Sequence, residues 1–125
     1  MPKRVLIVGL EPRVVDYTSP AMPPGVTAET VRQALTAEQA RLKAVGVETE
    51  LCLVDAGETA EAVLGQRLAA QAFDAVVIGA GIRAFPANFQ LFERVINLVH
   101  ALAPGAKIAF NTRPEDTTAA VQRWL

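Results

Sequence analysis

The residues of this sequence best placed to do chemistry cluster just beyond short apolar runs. Glu11, Arg13, Asp16 and Tyr17 follow Val5-Leu-Ile-Val8. Gly79, Gly81 and Arg83 follow Ala75–Ile78, and Asn111, Thr112 and Arg113 follow Lys107–Phe110. Each cluster contributes one arginine, and a guanidinium fork matches a phosphate or carboxylate in geometry and charge. One reading therefore has Arg13, Arg83 and Arg113 holding a small anion while Asp16, Tyr17 and Asn111 orient it. The other has the same arginines paired with Glu11, Asp16 and Glu115 as surface salt bridges of little energetic worth. The residues alone leave both open.

The usual nucleophiles and bases are scarce. The chain has one histidine and one cysteine, which excludes an intrachain disulfide and a structural zinc site of the Cys/His type. Cys52 falls inside an apolar run and reads as core. His100 lies near the end of a helical pattern, on the order of 20 Å from the start of that helix, and so at the opposite end from the arginines. Asp16, Glu11 or Tyr17 could serve acid–base chemistry, but no spacing singles one out. No catalytic residue and no metal is assigned.

Nucleotide and cofactor motifs are absent or incomplete. Gly79-x-Gly81-x-x-Ala84 fits a loose dinucleotide fingerprint, but Pro86 delays the helix that should follow, and the next run ends at Asn111 instead of an acid. No Gly-Lys-Ser/Thr follows an apolar run, so there is no P-loop. A phosphoacceptor receiver domain would need an acidic pair where Gly9-Leu10-Glu11 stands and an aspartate where Gly79-Ala80 stands. Glu11-Pro-Arg13 is unlike the Ser/Thr-rich phosphate loop of flavodoxins. No cofactor is expected.

The elements that must position these residues alternate. Strand-like runs at Arg4–Val8, Glu50–Val54, Ala75–Ile78 and Lys107–Phe110 are each followed by a helical pattern. Those patterns cover Thr27–Val45, Thr59–Ala72, Ala87–Ala103 and a segment opening at Pro114. Such alternation predicts an α/β fold: a three-layer α/β/α sandwich on a four-stranded parallel sheet in the order 2-1-3-4, Rossmann-like or flavodoxin-like. Ligands of open sheets bind beyond the strand carboxyl ends, where the order reverses, here between the first and third strands. The connection from Leu10 to Val26 carries Pro12, Pro20, Pro23 and Pro24 and is far longer than an ordinary strand-to-helix loop. It either lines this crevice or wraps the fold.

Composition bounds the function classes. The 125 residues suffice for one domain, spanning 1–125, and a 51% hydrophobic content suits a globular core. A net charge of −1 argues against a nucleic-acid partner, which calls for a basic face. No apolar run is long enough for a membrane span or a signal peptide, so a cytoplasmic setting is expected. The third helical pattern is apolar over about half its circumference, and a four-stranded sheet leaves two edges free, which together point to a homodimer.

Over nearly the whole chain, Val5-Leu-Ile-Val-Gly-Leu10, Val15-Asp16-Tyr17, Leu51-Cys-Leu-Val-Asp55, Val76-Val-Ile-Gly-Ala-Gly81, Leu91-Phe-Glu-Arg94, Asn97-Leu-Val-His100 and Phe110-Asn-Thr112 resemble a family of small single-domain Rossmann-like/flavodoxin-like α/β proteins known mainly as hypothetical proteins. The resemblance implies a stand-alone domain and assigns no chemistry. Two functions are carried forward. One is a site for a small anionic metabolite at the strand carboxyl ends, and the other is a non-catalytic homo-oligomeric or protein-interaction module.

Overall fold

A strand that is apolar on both sides must be covered on both sides, and β1 (Lys3–Leu10) shows how this is done. Val5 and Ile7 enter one core while Leu6, Val8 and Leu10 enter another. The computed structural model describes residues 2–125. β1 pairs in parallel with β2 (Val47–Val54) on one side and β3 (Ala75–Ile78) on the other, and β4 (Lys107–Phe110) completes the order β2-β1-β3-β4. The face bearing Val5 and Ile7 is covered by α1 (Ala28–Ala44) and α5 (Thr117–Gln122), through Leu35, Leu42, Ala120 and Val121. The opposite face carries α2 (Ala60–Ala70) and α4 (Phe89–Leu102), through Leu64, Leu68, Leu91, Val95 and Val99. The result is the three-layer parallel α/β architecture that the alternating pattern predicts.

Local chemistry sets the boundaries. Thr27 and Thr30 cap α1 reciprocally: the Thr27 hydroxyl accepts from the Thr30 N–H at 3.2 Å, and the Thr30 hydroxyl accepts from the Thr27 N–H at 2.8 Å. Gly46, at φ +85°, reverses the chain after α1, a conformation that disfavours any side chain. β2 begins at Val47 instead of Glu50, because its register with β1 from Lys3 onward draws in the polar Glu48 and Thr49. The third helical segment differs from the expected Ala87–Ala103. A single helical turn, α3 (Ala80–Arg83), follows β3 directly, and a 3-10 turn at Pro86–Asn88 precedes α4. Pro86 lacks an N–H and so suits a first helical position.

The broad apolar arc of α4 is consumed inside the molecule. Leu91, Val95 and Val99 are buried, and Phe92, Ile96 and Leu98 pack partly buried against the same core. Phe89 and Leu102, at its two ends, stay exposed. Among the described residues, no helix is long and apolar enough to cross a membrane.

One buried charge ties two helices together. Glu38 of α1 is 2% exposed, accepts the Thr118 N–H of α5 at 2.9 Å and receives Arg41 Nη1 at 2.9 Å. The Thr118 amide lies in the first turn of α5 and has no carbonyl of its own helix to reach. Glu38 therefore caps α5 from a neighbouring element. Glu38→Ala strands that amide and should lower unfolding free energy by about 1–3 kcal/mol in urea titrations. Arg41→Ala, at an exposed partner, should cost less than about 1 kcal/mol. Equal effects for the two variants would contradict the capping role.

Candidate functional site

Where the strand order reverses, a cavity of about 360 Å³ opens over the carboxyl ends of β1 and β3. Its floor is Ile7 to Leu10 with Gly79, and one wall is the α1 stripe Val31 and Leu35 beside Leu53. The long connection between β1 and α1 supplies a second wall through Val15 and Met22, and Ala84 and Phe85 close the far side. The polar rim comes from the turn after β4: Asn111, Thr112, Arg113 and Glu115. Most of the lining is apolar, as ligand pockets generally are.

The connection is held at its start and covers the cavity with its end. The Glu11 N–H donates to Val54 O at 2.8 Å, and the chain turns once through a 3-10 segment at Pro12–Val14. The Tyr17 hydroxyl then donates to Pro12 O at 2.6 Å, and partial burial pushes this phenol above its usual range. Val15 packs onto the core cluster. Glu11 receives Arg13 at 3.5 Å and Arg32 of α1 at 3.6 Å. From Thr18 to Val26 the hydrogen bonds are local, such as the Met22 N–H to Ser19 O at 3.0 Å. This half meets the body of the protein through side chains on the cavity.

The expected site residues divide into two groups. The cavity gathers Gly79, Gly81, Asn111, Thr112 and Arg113. Glu11, Arg13, Asp16, Tyr17 and Arg83 do not line it, and each is engaged elsewhere. Arg13 is highly exposed and faces Glu11. Arg83 Nη2 donates to Asn111 O at 3.0 Å, and its guanidinium lies 6.0 Å from the centroid of the Phe110 ring. Asp16 accepts the Thr18 N–H at 3.0 Å and the Thr18 hydroxyl at 2.6 Å. The three arginines thus do not converge, and Arg113 alone among them reaches the cavity. Met22 lines it from the long connection, as the sequence suggests, whereas Val31, Leu35 and Leu53 are lining residues that the sequence does not point to. The helical spacing of Val31 and Leu35 marks them as core, and nothing in their pattern reveals that one end of that core stays open.

Asn111 is the hub of the rim and is almost fully buried. Its Oδ1 accepts the Ala80 N–H at 2.9 Å, and its Nδ2 donates to Thr117 Oγ1 at 3.0 Å. That hydroxyl donates in turn to Pro114 O at 2.7 Å. Gly79 and Gly81 have a packing reason to be glycine. A Cβ on Gly79 would stand 3.2 Å from Val8 O, and one on Gly81 would stand 3.3 Å from Leu10 Cβ. The partial dinucleotide fingerprint therefore reflects how closely the β3–α3 turn approaches β1.

Carboxylates close the other turns at this end. Asp116 accepts the Thr112 N–H at 2.9 Å, the Thr112 hydroxyl, and the Arg113 N–H at 3.4 Å. Burial works against its charge, but these bonds and the Arg113 guanidinium outweigh it and hold the carboxyl below its usual range. Asp55 accepts the Thr59 hydroxyl at 2.8 Å and the Gly57 N–H at 3.0 Å, and these bonds likewise lower it. Asp16 is lowered by its bonds from the Thr18 hydroxyl and N–H.

The remaining reactive side chains lie elsewhere. Cys52 is fully buried in the core, and burial pushes its thiol up, away from the reactive thiolate. His100 is exposed in the last turn of α4. Among the described residues, no group of three or more His, Cys, Asp or Glu side chains is placed to hold a metal ion. Neither the protein-family models nor the curated proteins contain a match to this chain.

The Asp116 contacts make a signed prediction. A carboxyl lowered in the folded state adds stability above its unfolded pKa and loses it as pH falls through the folded value. Asp116→Asn should be less stable than the wild type at pH 7. The gap should narrow from about pH 4 downward, in urea titrations at pH 7 and pH 3. A gap independent of pH would contradict the assignment.

Proposed function

We propose that this protein binds a small organic anion, bearing a phosphate or a carboxylate, in the cavity at the carboxyl ends of β1 and β3. The cavity itself carries the reading. It lies where the strand order reverses, its volume of about 360 Å³ falls within the range of small-molecule sites, and its rim holds Arg113. Among the described residues no carboxylate lies within 4 Å of that guanidinium, and Asp116 feels its charge only from farther away, which leaves its N–H fork open to a ligand. The apolar lining suits the body of the ligand and Arg113 its charged end. The proposal covers binding and assigns no reaction.

The second reading, a homodimeric interaction module, loses one of the two features that favoured it, because most of the apolar arc of α4 packs onto its own core. What still favours it is the exposure of Phe89, Trp124 and Leu125 and the free edges of β2 and β4. Light scattering separates the readings: a strict monomer removes the second. A reducing, cytoplasmic setting belongs to the proposal too, in keeping with the single, unpaired Cys52.

A thermal-shift screen against organic acids, sugar phosphates and nucleotides tests the binding reading. A true ligand at about 100 times its dissociation constant should add roughly 2.7 kcal/mol of stability. Val31→Trp, which fills the cavity from α1, should abolish that gain while the protein remains folded. A screen without response, or a response that survives Val31→Trp, would contradict the proposal.

A further inference from the structure

Parallel strands usually offer an anion the free backbone N–H groups at their carboxyl ends. In this protein three such N–H groups beside the cavity are already taken by the chain's own side chains. Asn111 Oδ1 takes the Ala80 N–H after β3. Asp116 takes the Thr112 N–H, the Thr112 hydroxyl and the Arg113 N–H after β4. Asp116 thus occupies, as a built-in anion, two N–H groups and a hydroxyl that a phosphate group would otherwise use.

The remaining charges discriminate between ligands. Arg113 is the one cation among the lining residues, and Glu115 shares the rim with no cation within 4 Å. A phosphate monoester carries up to two charges and three strong acceptor oxygens. One guanidinium leaves it short of donors, and its repulsion from Glu115 and Asp116 rises with its charge. A carboxylate has a single charge and two oxygens, which one guanidinium satisfies in bidentate fashion. Behind the rim, Val31, Leu35 and Leu53 present an apolar wall that suits hydrocarbon.

We infer that the ligand of this cavity is a monocarboxylate with an apolar body, its carboxylate against Arg113 and its hydrocarbon against Val31, Leu35 and Leu53, and that the site rejects phosphate esters of the same body. The inference rests on the reading that the cavity is the binding site. Isothermal calorimetry with octanoate, octyl phosphate and 1-octanol tests it. These probes share one tail and differ only in the head.

Octanoate should bind at one site per chain, at least about ten-fold more tightly than either other probe, as expected for one charge-assisted pair. Arg113→Gln should reduce octanoate to the affinity of 1-octanol, and Val31→Trp should abolish binding of all three. Octyl phosphate matching or exceeding octanoate would overturn the carboxylate assignment while leaving the cavity as a binding site. Equal affinity for octanoate and 1-octanol, or an Arg113→Gln variant that binds octanoate unchanged, would overturn it as well. If none of the three probes binds, the inference fails, and a response to other anions in the screen would show that the cavity reading survives it.

Discussion

Backbone groups left bare at the carboxyl end of the sheet dominate the design of this molecule. Beyond the last ladder bonds, such as Glu11 N–H to Val54 O and Gly79 N–H to Val8 O, the turns carry further N–H groups that must be satisfied. This chain meets the need with its own side-chain oxygens. Asp55 closes the turn after β2, Asn111 the turn after β3, and Asp116 the turn after β4, while Asp16 closes a turn within the long connection after β1. The same oxygens fix the rim of the cavity, because Asn111 joins the β3–α3 turn to the start of α5 through Thr117. An end of the sheet that often grips phosphate is stabilised here from within.

The cavity arises from a mismatch between cover and sheet. The two cores close fully along the middle of β1 and β3, where Val5 to Val8 and Ala75 to Ile78 are buried. Past Val8 the start of α1 and the short α3 cover the sheet only in part, and the connection over residues 11–27 supplies the rest of the cover. Its prolines bar it from forming a helix that could pack tightly, while Val15, Met22 and Val26 keep its inner side apolar. The first half is pinned by the Glu11 N–H to Val54 and by Tyr17 to Pro12. A rigid rim and an apolar wrap leave a lined space between them.

The fold was largely legible in the sequence because hydrophobic periodicity records burial directly. The double-sided apolar runs at Val5–Val8 and Ala75–Ile78 predict central strands, and both pair on two sides. Boundaries were less legible, since β2 recruits Val47 to Thr49 through pairing with β1 and not through its own pattern. The site was legible in location and less so in composition. The reversal of strand order marks the crevice, and Asn111, Thr112 and Arg113 line it. Spacing could not show that Arg83 would turn to the carbonyl of Asn111 and the ring of Phe110, or that Arg13 would remain in solvent facing Glu11. Side-chain direction at such positions depends on which partners the folded turns bring near. The apolar lining was equally hidden, because Val31 and Leu35 have the same pattern whether the space beside them is filled or open.

The account rests on amides tied within the chain and on a cavity with an apolar lining. Chemical shifts of backbone amides and side-chain methyls in a labelled sample, recorded during titration with inorganic phosphate and then with octanoate, report on both. The amides of Ala80, Thr112 and Arg113 should stay unmoved by phosphate, while octanoate should produce saturable shifts at the methyls of Val31, Leu35 and Leu53. Saturable shifts of those amides with phosphate, and silence at those methyls with octanoate, would contradict the account.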